Sequence, residues 1–250
     1  MAFPTTVYLS YGMEKVETSE QKQKLGTRAE TPDGRVFYYA KNSSSAITPA
    51  GKIVDGVAAV AAQDMDLAAT AAHSAGDTTI SIEVPTTDLT KDQYKDGYLI
   101  CNDGPGQGEV YRIKSHPAHD ASADNTVIIT IDEPDGIRTA LTTSSLFGLA
   151  ANPYTDVKII DGDGTMTTGP LGVNPIPVTA SYYFWLQTSG ISSVLSGAAV
   201  AVVGDAIGVS QASGESGAFD LWDASSEEDT RPIGHAMNIP SVDTDNQIVM

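Results

Sequence analysis

From residue 178 to residue 186, apolar and polar positions alternate. Val178, Ala180, Tyr182, Phe184 and Leu186 share one parity; Thr179, Ser181 and Gln187 share the other, with Tyr183 and Trp185 among them. Successive strand side chains point to opposite faces, so this period predicts a half-buried β-strand over residues 178–188. A second apolar run, residues 200–203, is bounded by Gly204-Asp205 and predicts a buried strand ending in a turn. With residues 157–160, 206–209, 233–237 and 247–250, these stretches predict a C-terminal β-barrel or sandwich over residues 151–250. Residues 173–178 contain Pro175 and Pro177 and must be an edge or a connector, since proline cannot donate to a central ladder.

The same reading applies upstream. Pro32-Asp33-Gly34 separates two strand-like stretches, 26–30 and 35–41, and predicts a hairpin. Residues 77–84 alternate cleanly, and 98–101, 110–114 and 126–131 are further strands, with a helical turn near 90–94. Short strands at regular spacing with turns between them predict a sandwich or barrel over residues 76–150. Residues 57–73 are Ala-rich, with Val57, Val60, Ala61, Met65, Ala68 and Ala72 near helical spacing; helix and extended linker are both compatible with them. Residues 1–25 have too few apolar positions to close a core and read as an extended arm that orders only against something else. The expected organisation is therefore all-β: an arm (1–25), a hairpin and linker (26–75), a first β-domain (76–150) and a C-terminal β-domain (151–250).

Charge narrows the choice of partners. The net charge is −18, and it is uneven. Residues 1–60 carry seven Lys and Arg against six Asp and Glu, residues 61–158 six against fifteen, and residues 159–250 one against eleven. So acidic a body repels phosphate backbones, which argues against nucleic acid as a partner. The near-neutral N-terminal region, with Lys15, Lys22, Lys24, Arg28, Arg35, Lys41 and Lys52, is the part suited to docking on an acidic surface. The longest apolar runs, about six residues, are far shorter than the roughly 20 of a membrane helix, and no secretory pattern is seen at the start. The lone cysteine, Cys101, excludes an internal disulfide and suits synthesis in a reducing cytoplasm.

No motif carries chemistry. The glycine-rich stretch 102–108 lacks the Gly-Lys-Ser/Thr ending of a phosphate loop and precedes a strand, so it reads as a hairpin loop. Asp161-Gly162-Asp163-Gly164 has Met166 where a calcium loop needs Gly and Gly172 where it needs Glu; a plain turn is favoured, and an ion at Asp161 and Asp163 is left open. His116 and His119 lack the further ligands that zinc needs and read as solvated loop residues. Cys101, in an apolar strand, reads as buried and inert. Trp185, Trp222 and Tyr182-Tyr183 could stack on sugars, although strand aromatics more often form core or interface. No catalytic residue, cofactor or metal is expected.

Several stretches together carry a resemblance. Leu25-Gly-Thr-Arg28, the run from Asp33 through Phe37-Tyr38 to Asn42, and the run from Ala46 to Lys52 resemble the N-terminal region of capsid decoration (cement) proteins of tailed bacteriophages. Gly106-Gln-Gly-Glu-Val-Tyr-Arg-Ile113, Asn152-Pro-Tyr154, Tyr183-Phe-Trp-Leu-Gln-Thr-Ser-Gly190 and Pro232-Ile-Gly234 are similar to the same group. The resemblance implies an all-β virion protein, made in the host cytoplasm and bound to the outer capsid surface. It also implies that the major capsid protein and neighbouring copies of the chain, often as trimers, are its partners. No catalytic residues carry over. The expected capsid-binding set is Lys15, Lys22, Lys24, Arg28, Arg35, Phe37 and Tyr38, with the arm reaching neighbouring subunits. The alternative is a tail or fibre module binding host glycans through Trp185 or Trp222.

Overall fold

The structure, a computed structural model, describes residues 6–162, 166–197, 202–222 and 232–238, and the backbone of 246–249. In chain order the strands are β1 (Val7–Tyr8), β2 (Arg28–Glu30), β3 (Val36–Lys41), β4 (Ile53–Asp55), β5 (Leu67–Ala68), β6 (Thr79–Glu83), β7 (Tyr98–Asp103), β8 (Val110–Ser115), β9 (Thr126–Ile131), β10 (Leu146–Ala150), β11 (Lys158–Ile159), β12 (Gly172–Val173), β13 (Tyr183–Ser189), β14 (Ser192–Leu195), β15 (Ala206–Val209), β16 (Phe219–Leu221), β17 (Gly234–His235) and β18 (Asn246–Val249). Among the described residues the only helical element is one 3-10 turn, Met13–Lys15, and the all-β expectation holds.

Two compact units divide the chain. One is Met1–Val57 together with Pro153–Met250; the other is Ala58–Asn152. The segment 26–57, expected as a separate hairpin and linker, instead supplies β2, β3 and β4 to the first unit.

The first unit is built on a seven-stranded sheet in the order β1-β2-β3-β13-β12-β4-β11. The hairpin forms as expected, with Arg28 opposite Tyr38 and Gly34 at φ 84° in its turn, a conformation that glycine adopts without a Cβ clash. At the sheet's centre β13 runs antiparallel to β3, Trp185 opposite Tyr39 and Leu186 opposite Tyr38. The alternation read from the sequence is real but shorter than expected. Ser181 takes φ 63° and breaks the run, so the strand begins at Tyr183. Both faces of β13 are buried. Phe184 and Leu186 pack with Ala40, Ile47, Val54, Val157 and Val178. Trp185, on the other face, packs with Phe37, Tyr39, Ala29, Leu9 and Leu25. A third cluster joins Ile53 and Ile160 to Val194, Ile207, Val209 and Phe219 of the small sheets β14-β18 and β16-β15-β17. Of the expected strand 200–203, residues 200 and 201 lie outside the described residues. Val202 and Val203 are exposed in a turn rather than buried in a strand.

The second unit is a six-stranded sheet, β5-β10-β7-β8-β9-β6, around one core. Its two edges meet: Ala69, just past β5, bridges to Ile82 of β6, and Thr70 N donates to Ser81 O at 3.0 Å, nearly closing a barrel. Buried and exposed residues alternate along β7 and β9 as the sequence predicts. The helix considered over 57–73 is absent. Its residues form a loop in which Asp66 takes φ 61°, and then β5, with Leu67 and Ala69 turned into the core. Strand-like period two at 67–69 wins over the weak helical pattern because the barrel edge needs closing. Gly148 of β10 is required by this loop, since a Cβ there would lie 1.9 Å from the Asp64 carbonyl oxygen.

Residues 58–152 behave as an insertion into the first unit. The chain leaves and returns at one place, since a Cβ on Gly56 would sit 3.0 Å from the Pro153 carbonyl oxygen. The core of the second unit draws only on residues between Leu67 and Ala151. Replacing 58–152 by a short Gly/Ser linker is therefore expected to leave the first unit folded, and 58–152 expressed alone is expected to unfold cooperatively. Calorimetry of both pieces beside the full chain checks this.

Candidate functional site

The N-terminal segment does not project. Val7 and Tyr8 pair in parallel with β2, and Leu9 N donates to Glu30 O at 2.9 Å. Further along, Thr18 and Tyr183 exchange two backbone hydrogen bonds, at 2.9 and 2.8 Å. Glu17 accepts from Thr179 N at 2.7 Å and from its hydroxyl at 2.8 Å. Lys22 N donates to the Tyr39 hydroxyl at 3.0 Å. Glu14 is buried, with one oxygen accepting from Gly12 N at 2.7 Å and the other 3.4 Å from the Arg35 guanidinium. The segment orders against its own sheet, where Leu9 and Leu25 cap Phe37, Tyr39 and Trp185.

This placement reorders the expected docking residues. Phe37 is fully buried and cannot touch a partner; the β3 alternation puts it on the capped face. Tyr38 is half-buried and stacks on Tyr154 at 4.8 Å. Arg35 lies over the Phe37 ring, and Asp33 accepts from its Nε at 2.8 Å, with Glu14 beyond, so it pins the N-terminal segment. Arg28 is held by Glu30 at 3.1 Å and by the Thr6 hydroxyl at 3.2 Å. Lys22 pairs with Glu20 at 2.8 Å on the surface. Lys15 and Lys24 are exposed. Sequence reasoning missed the apolar residues around them: Tyr8, Tyr11, Met13 and Val16 are all exposed. The signal was available as four large apolar residues in a stretch with too little company to bury them.

Elsewhere, buried polar groups fix loops. His116 and His119 are buried, which corrects the expectation of solvated histidines. The His116 Nδ1–H donates to Pro117 O at 2.8 Å while Nε2 accepts from Tyr94 N at 3.1 Å, and the His119 Nε2–H donates to Val84 O at 2.8 Å. Burial pushes the His116 imidazole below the usual histidine range, against the opposite pulls of the Pro117 carbonyl and the Asp92 carboxylate. A neutral buried imidazole leaves the unfolded chain binding the extra proton, so stability falls as pH drops below about 6.5. Between pH 7.5 and 5.5 the second unit is therefore expected to lose stability. His116→Gln should flatten that slope, as read by denaturant unfolding at each pH.

Asp55, also fully buried, has four donors. Gly56 N (2.7 Å), Thr168 N (2.9 Å) and the Thr168 hydroxyl (2.7 Å) reach Oδ1, and Thr167 N reaches Oδ2. Burial raises this carboxyl, but the Thr167, Thr168 and Gly56 donors outweigh it and hold it below the usual carboxylate range. Cys101 is buried between the Asp103 and Pro105 carbonyls, and desolvation pushes its thiol up, which disfavours the reactive thiolate. Of the stretch 102–108, expected as a hairpin loop, residues 104–108 lie in the turn between β7 and β8, and 102–103 end β7. Among the described residues no three His, Cys, Asp or Glu side chains gather into a metal-binding group. Asp161 is exposed, and Asp163 lies outside the described residues. Trp185 is buried behind the N-terminal segment and offers no ring for a sugar; Trp222 is half-buried. A cavity of about 830 Å³ in the first unit is lined by Ile53, Met166, Leu171, Val173, Val194 and Ile233, with Gln187 and Ser189 at its polar side. No helix among the described residues is long and apolar enough to cross a membrane.

Comparison with protein-family models, with curated proteins and with solved structures gave no match.

Proposed function

We propose that this chain is a non-enzymatic structural virion protein, a decoration or cement protein that binds the outer surface of a phage head and stabilises the shell. The major capsid protein and neighbouring copies of the chain are its partners in this reading. One observation carries it beyond the sequence resemblance. The buried polar side chains that chemistry would use are occupied in holding loops: Asp55 on Thr167 and Thr168, His116 and His119 on backbone groups, Glu14 on Gly12 and Arg35. A cement protein works through area and rigidity, and this use of polar groups supplies rigidity. The acidic body suits the outside of a DNA container rather than its interior. Glycan binding through Trp185 is not retained, since that ring is covered.

Imaging heads assembled with and without the protein tests the proposal. Density on the faces of the shell, together with a higher temperature of DNA release, is expected. Protein confined to the tail or fibres, or heads equally stable without it, would refute it.

A further inference from the structure

The floor of the cavity in the first unit is one cross-strand row of its main sheet. Gln187 of β13 lies opposite Val173 of β12, and Val173 lies opposite Ile53 of β4, so the three residues share a face. Val194 of β14 lines the same space, and Met166, Leu171 and Ile233 add further walls. Ile53, Val194 and Gln187 are only 1%, 2% and 5% exposed, so a group reaching this floor leaves bulk water. The volume, about 830 Å³, falls within the roughly 300–1,000 Å³ of small-molecule sites.

The lining defines the chemistry that fits. None of the described residues around the cavity carries a charge. A carboxylate, phosphate or ammonium brought here would lose its water and meet no counter-charge. The floor and walls ask for an apolar body. Gln187 supplies a single polar handle. Its Nε2 donates to the Ile191 carbonyl at 2.8 Å and, more weakly, to the Ser189 carbonyl at 3.4 Å, which fixes the amide's orientation. Its Oε1 accepts a hydrogen bond from none of the described residues. A buried acceptor without a donor is costly, and a ligand O–H or N–H recovers that cost.

We propose that this cavity binds an uncharged, mainly apolar small molecule that donates one O–H or N–H to Gln187 Oε1. A flat protein surface would not reach a floor so deeply buried, which favours a small molecule over a partner chain. The inference does not depend on the reading of this chain as a shell protein and holds for the free protein.

The test titrates the full chain with N-phenylnaphthylamine, an uncharged apolar probe with one N–H whose fluorescence rises out of water. Saturable binding at a single site per chain is expected. Anilinonaphthalene sulfonate, the same skeleton with a negative charge, should bind at least about tenfold more weakly. N-methyl-N-phenylnaphthylamine, which lacks the N–H, should bind about fivefold more weakly. Gln187→Met should erase the difference between the two uncharged probes, whatever it does to melting. Leu171→Trp, which fills the cavity, should abolish binding while calorimetry shows the first unit still folded. Val110→Ser/Ile128→Ser, which removes exposed apolar groups of the second unit, should bind as the unaltered chain does. Absence of saturable binding, or a sulfonate bound as tightly as the uncharged probe, overturns the proposal. So does equal binding of the methylated probe, a difference between the uncharged probes that survives Gln187→Met, or binding that survives Leu171→Trp or is lost in the Val110/Ile128 variant.

Discussion

Removing residues 1–25 is expected to unfold the first unit rather than to free a dispensable arm. The deletion takes away Leu9 and Leu25 and uncovers Phe37, Tyr39 and Trp185 on the outer face of the sheet. Burying one large apolar side chain is worth about 1.5–3 kcal/mol. The deleted and uncovered residues together approach about 5 kcal/mol or more, comparable with the whole stability of a domain. Differential scanning calorimetry should show the transition of the first unit lost or moved far down, with that of the second unit, residues 58–152, unchanged. A deletion that melts like the full chain would mean that the cap contributes nothing to folding.

Asp55→Ala should be among the most damaging single substitutions of a polar residue in the first unit, at about 2–3 kcal/mol. It takes the carboxylate acceptor away from the N–H groups of Thr167 and Thr168 and leaves Gly56 N with the Thr168 hydroxyl alone, at 3.1 Å. Asp55→Asn keeps one acceptor but turns an amide N–H₂ towards another donor, so its loss should be smaller than that of alanine and still measurable by urea unfolding. The pH response has a definite sign. The carboxyl is held below its ordinary range, so its contribution is complete above about pH 4 and disappears as pH falls below that. Asp55→Ala should therefore have a shallower acid limb than the unaltered chain.

The strands of the second unit could be read directly because they are half-buried and short-range. At β7, β8 and β9 one face is core and the other solvent, and period two shows in the residues. In the first unit the pattern blurs. From Phe184 to Gln187 every residue is buried, so the run carries apolar groups at both parities and its pairing with β3 cannot be found locally. Pairing of β4 with β11 and β12 is equally non-local, and both partners are two residues long, below any sequence signal. Which of the expected docking residues are accessible is hidden in the sequence for a related reason. Lysines and arginines stand out in an acidic chain, but whether a charge is free depends on neighbours such as Glu14 and Asp33, whose side-chain directions composition does not encode.

The pairing of β3 with β13 has a consequence for synthesis. Residues 36–41 leave the ribosome long before residues 183–189 exist, so the central ladder of the first unit waits for most of the chain. Meanwhile residues 58–152 have all they need to fold on their own. Once they have done so, the stretch between Val57 and Pro153 is a compact spacer rather than a slack tether, which is expected to lower the entropy cost of joining the early and late halves. Folding of the inserted barrel first would thus shorten the search by which its host's early and late strands find each other.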